Sequence, residues 1–177
     1  ILKIEKNLKN FVKDTHIILD NREFFPIEIS IKKGHNGNSI SQENLINPLN
    51  VLKNLCQFSF KDKKIIHMLI ENYQIDGKDY SFLPENLKCN NFSLDIKFIC
   101  LSKNLIEHYE SILKKYHILV NQILNAEYIE QFQDQQNPNI YTTASRIISG
   151  FNNNEISLVN KTLKSKGFFE KFFDLFS

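Results

Sequence analysis

From Phe92 to Phe98 the chain reads Phe-Ser-Leu-Asp-Ile-Lys-Phe, an unbroken alternation of apolar and polar side chains. Successive side chains of an extended strand point to opposite faces, so this stretch predicts a strand with one face buried and the other wetted. Such a strand is not stable alone; it needs paired neighbours and an apolar cover. A second alternation, over Phe25 to Lys32, puts Ile27, Ile29 and Ile31 on one face and Glu28, Ser30 and Lys32 on the other. Lys64 to Ile75 is β-branched and apolar, lacks a sustained helical stripe and runs into Asp76-Gly77, which predicts a third strand ending in a turn. Thr15 to Leu19 and Ile118 to Leu124 read as shorter strands.

The cover comes from helices. Ser102 is a predicted N-cap, and Leu105, Ile106, Tyr109, Ile112, Leu113 and Tyr116 follow it at helical spacing. A second stripe is Leu45, Leu49, Leu52 and Cys56, started by Ser39 with Gln42 or by Ser41 with Asn44. Pro48 predicts that this helix either kinks or begins afresh with Asn47 as its cap. Ile1, Ile4, Leu8 and Phe11 predict an amphipathic helix over residues 1–13. The order strand, helix, strand, strand, helix, strand places the chain in the α+β class, with helices packed on a small sheet over residues 14–133. Lys78 to Asn91, polar and carrying Pro84, reads as a loop. From Asp134 the composition turns polar, predicting a tether over 134–166 with a short helix across Ile140 to Ser149 and Lys161, Lys164 and Lys166 near its end.

Composition removes several function classes. At 177 residues and 42% apolar content, one domain with an appendage is expected. No run approaches the roughly 18–20 apolar residues of a bilayer-spanning helix. The five glycines form no phosphate-cradling pattern, so no nucleotide site is expected within this chain. A net charge of +2, with basic residues that are nearly all Lys, argues against nucleic acid as a partner. Three cysteines without a CxxC pair or a matching His spacing fit a reducing cytosol. No signal-like opening is visible, and because the chain starts at Ile1 rather than Met this carries little weight about targeting.

Isolated polar residues do not assemble into a catalytic set. His67 falls inside a predicted strand with no partner at metal-ligand spacing, and reads as a hydrogen-bonded sheet histidine. Asp76 and Asp79 flank Gly77 as ordinary turn chemistry. His16, His35, His108 and His117 are scattered, and Glu107, Glu110, Lys114 and Lys115 read as a solvated helix face. Neither catalysis nor a cofactor nor a metal is expected.

The last eleven residues differ from all the rest. Placed on a helix at about 100° per residue, Phe168, Phe169, Phe172, Phe173, Leu175 and Phe176 fill an arc of about 160°, and Glu170, Lys171 and Asp174 take the remainder. Aromatic rings on one face, preceded by Lys161, Lys164 and Lys166, match a helix lying in the plane of a membrane surface with its lysines near anionic headgroups. The other reading is a tail that docks on its own domain or in a partner's groove. Six partly buried apolar side chains at up to about 1.5–3 kcal/mol each barely exceed the cost of ordering about ten residues. Attachment through one such helix is therefore weak and reversible, and firm attachment needs several copies acting together.

Ile65-Ile66-His67, Ile75-Asp76-Gly77, Pro84, Leu94-Asp95-Ile96, Asn104-Leu105, Val120 and Ala126 to Tyr128 together resemble the inserted subdomain of the bacterial cell-division protein FtsA, an actin-like ATPase family. The similarity spans about Thr15 to Glu130 and keeps its spacing from His67 through Tyr128. The resemblance implies a strand, helix, strand, strand core. It also implies a membrane-targeting helix after a linker, matched here by Gly167 to Ser177, and a cytoplasmic place on the inner membrane face among other division proteins; self-association, or attachment to a polymer, follows instead from the weakness of a single anchoring helix. After Tyr128 the chain passes to its tether without the family's second lobe and glycine-rich phosphate loop, and the family's glycines around Leu83 to Asn90 are missing. ATP binding and docking of the tubulin-like FtsZ tail, which the family performs on that lobe, are therefore not carried over. The expected function is a non-catalytic membrane-tethering adaptor of the division machinery. The alternatives are a soluble interaction domain with a docked tail and a fragment of an actin-like ATPase.

Overall fold

The computed structural model describes residues 1–156. The elements are α1 (Leu2–Leu8), β1 (Asp14–Leu19), β2 (Phe25–Gly34), α2 (Gln42–Ser59), β3 (Lys63–Ile75), β4 (Lys78–Tyr80), β5 (Asn91–Ser102), α3 (Lys103–Lys114), β6 (Leu119–Asn125), α4 (Ala126–Glu130) and α5 (Ile140–Ile148). The class is α+β, and the small sheet resolves into two. An antiparallel sheet has the order β2-β5-β3-β4, and a parallel pair joins β1 to β6. The whole antiparallel sheet thus enters the chain between two strands that lie side by side.

β5 is one of the two inner strands of the larger sheet, and its alternation does what the sequence predicts over its first half. Phe92, Leu94, Ile96, Phe98 and Cys100 are buried against α2, whose stripe Leu45, Leu49, Leu52 and Cys56 completes the main core. On the other face Ser93, Asp95 and Lys97 are only half-buried, whereas Ile99 and Leu101 are buried. The face changes character because Ile99 is covered by Tyr128 and Ile147, and Leu101 packs with Ile106 and Ile123. β3 carries two register shifts, at Ile65/His67 and at Ile70/Asn72, so Ile65, Met68, Ile70, Tyr73 and Ile75 all reach the main core despite their irregular spacing. These bulges are why no simple period was visible there.

Several boundaries differ from the sequence reading. α1 ends at Leu8 rather than at residue 13, because Lys9 turns left-handed at φ 53° and its N–H closes on the Glu5 carbonyl. α1 buries no residue, so packing does not extend the helix toward Phe11. α2 starts at Gln42, and Asn44 Oδ1 accepts the Ser41 N–H at 2.8 Å, as the second of the two cap readings has it. The helix continues through Pro48, which is buried, so no fresh start occurs there. The stretch read as a loop from Lys78 opens with strand β4. Asp76 and Gly77, at φ 45° and 82°, form the two-residue turn between β3 and β4.

The largest correction concerns the tether. Residues 140–156 are part of the folded body: α5 buries Thr143, Ala144 and Ile147, and Glu155 pairs antiparallel with Leu69 on the edge of β3. Ile70 N donates to the Asn154 carbonyl at 2.9 Å, and Ile156 N donates to the Met68 carbonyl at 2.8 Å. The asparagines that made this stretch look like a linker are its fastenings. Asn139 Oδ1 caps α5 by accepting from Thr142 N, and Asn154 Nδ2 donates to the Ser81 carbonyl at 2.8 Å.

Candidate functional site

The residues singled out for membrane contact, Phe168, Phe169, Phe172, Phe173, Leu175 and Phe176 with Lys161, Lys164 and Lys166, lie outside the described residues. Within them, the densest polar cluster is the seam where residues 152–156 meet β3. His67, 2% exposed, sits on β3 opposite the main core. The backbone N–H of Asn125 donates to its Nε2 at 3.1 Å, so Nε2 is the acceptor and Nδ1 carries the proton. Nδ1–H donates to Glu155 Oε1 at 2.7 Å, and the Tyr128 hydroxyl donates to Glu155 Oε2 at 2.7 Å. Asn152 Nδ2 in turn donates to the Tyr128 oxygen at 2.9 Å. Asn125 Oδ1 closes the arrangement by accepting the Tyr128 N–H at the start of α4. The His67 and Tyr128 rings lie 4.5 Å apart between centroids.

Every member of this cluster has its partners, and no described buried side-chain N or O atom lacks one. Burial, reinforced by the Glu155 carboxylate, pushes the Tyr128 phenol well above its ordinary range, although the Asn152 bond opposes this. The phenol therefore stays a hydrogen-bond donor. With both ring nitrogens engaged, His67 has no free valence for a proton-transfer partner, and the seam acts as a clasp. The sequence reading of a hydrogen-bonded sheet histidine agrees with this geometry. What it missed is Glu155, 88 positions away, which no local spacing could signal. A cleft of about 220 Å³ adjoins the clasp, lined by Lys53, Lys64, His67, Gln122 and Glu155 among others.

The remaining candidates are dispersed. Both Asp76 oxygens accept from the backbone of Asn90, and Oδ1 also from Asn91 N, so this carboxylate binds the β3–β4 turn to the start of β5. Asp79 accepts from Asn72 and Gln74, and these bonds hold its carboxyl below the usual range. No group of three or more His, Cys, Asp and Glu among the described residues is arranged to hold a metal ion.

The three cysteines are free and buried. Burial first, then the neighbouring Cys56 thiol, pushes Cys100 up to about 12, and burial raises Cys56 and Cys89 as well. Alkylation proceeds through the thiolate. Iodoacetamide at pH 8, followed by mass spectrometry, is therefore expected to leave all three thiols unmodified in the folded protein and to label all three in urea. Rapid labelling of Cys100 in the native state would contradict the packing of α2 on β5.

No family model and no curated protein matches this chain.

Proposed function

We propose that this chain is a reduced FtsA-like adaptor of the division machinery, without catalysis, that holds protein partners on the inner membrane face through its Phe-rich end. The observation that carries the reading is the complete separation of five Phe and Leu175 from Glu170, Lys171 and Asp174 over the last ten residues, behind Lys161, Lys164 and Lys166. The long elements β2, α2, β3 and β5, a strand, helix, strand, strand succession with the three-residue β4 between the last two, enter between the paired strands β1 and β6 and support it further.

Flotation with anionic liposomes tests it. The intact chain is expected to rise with the vesicles, and the variant carrying Phe169→Asp and Phe172→Asp to stay in the soluble fraction. The loss of two half-buried rings lowers partitioning about tenfold or more. Equal flotation of both proteins would remove the anchor.

The docked-tail reading has a specific surface. A groove of about 890 Å³ runs between α2 and residues 150–156, with Leu45, Leu49, Tyr73 and Leu83 in its wall and the exposed Ile46 and Phe82 at its rim. Amide exchange without lipid separates the two readings. Protection across 168–176 favours docking, and fast exchange favours the membrane.

A further inference from the structure

β2 is the outer strand of the antiparallel sheet, and among the described residues its second edge pairs with nothing over ten positions, Phe25–Gly34. Edge strands are ordinarily protected by charge, a bulge or a cover. β2 pairs with β5 through an unbroken register, and its only charges are Glu28, Lys32 and Lys33.

Those charges are ordered so that the strand is complementary to itself. Set antiparallel to a second copy with Ser30 opposite Ser30, the strand puts Glu28 opposite Lys32 and Lys32 opposite Glu28, with Ile29 opposite Ile31 on the other face and Ile27 opposite Lys33 toward its ends, where the lysine stem can lie along the isoleucine. Opposite charges at directly facing positions favour pairing, as do β-branched pairs. Pro26, which has no N–H to donate, falls opposite Gly34 at the two ends of the ladder, where its loss costs least.

The flank of α2 beside this edge is apolar as well. Ile46, Lys53 and Gln57 line the clefts toward the β3 side, so on a helix whose buried stripe is Leu45, Leu49, Leu52 and Cys56 the opposite flank carries Leu55, with Val51 and Phe58 turned further toward solvent. Val51, Leu55 and Phe58 are 59%, 50% and 72% exposed, and Phe60, just beyond the helix, packs against Phe25 of β2 with ring centroids 5.7 Å apart and planes tilted by 56°. A two-fold axis normal to the sheet keeps both α2 helices on one face, so Leu55 of each copy, with Val51 and Phe58 beside it, lies on the same side of the seam as Ile29 and Ile31.

We propose that the chain forms a symmetric dimer through the free edge of β2, with Ser30 on the axis and Glu28 facing Lys32 across it, closed on the helical side by Val51, Leu55 and Phe58. The proposal stands independently of the lipid reading, although two tails on one body would bind a membrane far more firmly than one.

Sedimentation equilibrium of the full chain tests it, in the Phe169→Asp, Phe172→Asp background so that the tail cannot drive association. This protein is expected to dimerise. Glu28→Lys alone and Lys32→Glu alone each put like charges opposite one another twice, and each is expected to raise the dissociation constant about tenfold or more. An equal mixture of the two single variants restores both pairs and is expected to associate as a heterodimer, and the double variant Glu28→Lys, Lys32→Glu to self-associate like the parent. Recovery in the mixture also shows that both variants fold. A parent that stays monomeric at its highest soluble concentration overturns the proposal. So do single variants that dimerise as well as the parent, or a mixture that fails to recover association.

Discussion

Phe98→Ala is expected to lower folding stability by about 3–5 kcal/mol, the range for removing a large aromatic side chain from a close-packed core. Phe98 is fully buried on the inner strand β5, with Ile27 of β2 and Met68 of β3 as its register partners and the α2 stripe above it. Neighbours on three sides belong to different elements, so the cavity cannot collapse by moving one side chain. Urea denaturation checks this: the midpoint should fall with little change in slope, because the surface exposed on unfolding is nearly the same. Lys97→Ala, one position away on the open face, provides the contrast. Lys97 holds Glu28 at 3.6 Å and Glu71 at 3.4 Å across half-exposed surface, and its loss should cost under about 1 kcal/mol. A small effect at Phe98 would mean that the face of β5 toward α2 is not the core.

Glu155→Ala is the second large effect expected, at about 2–4 kcal/mol. One carboxylate accepts from both the His67 Nδ1–H and the Tyr128 hydroxyl, so its removal strands two buried donors at about 1–3 kcal/mol each. Water entering by the adjoining cleft recovers part of that cost. Glu155→Gln should lie between, since the amide oxygen can accept from one donor while its NH₂ faces the other. Hydrogen exchange locates the damage. The amides of Ile70 and Ile156, which tie residues 154–156 to β3, should lose protection in Glu155→Ala, and those of β5 should keep theirs. Unchanged protection at Ile70 and Ile156 would show that the clasp does not hold residues 154–156 to β3.

The clasp and the outer edge of β2 differ in how much of each could be read in advance. His67 looked solitary because its partners come from residues 125, 128 and 155, brought together only when α4 and residues 152–156 close over the sheet. The composition of 134–156 pointed the wrong way: asparagine and glycine are frequent in linkers, and equally frequent where a chain must turn and fasten its backbone. The alternation of Glu28, Ser30 and Lys32 was visible from the start. That it faces outward on an unpaired edge follows from the strand order, which no local pattern contains.

Local periodicity determined the α+β class, the strands at Phe25, Lys63 and Asn91, the helical stripe of α2, the helix α3 and the turn at Asp76-Gly77, because each depends on side chains within a few positions of one another; of the expected α3 stripe only Ile106 is buried, and Ile112 and Tyr116 are exposed. Long-range pairing alone decided the rest. The division into two sheets, the parallel join of β1 to β6 across a hundred residues of intervening chain, the docking of α5 and the fastening of Glu155 to His67 all depend on contacts between distant segments. Their stability comes from burying surfaces that meet only in the folded protein, and a reading along the chain cannot see those surfaces meet.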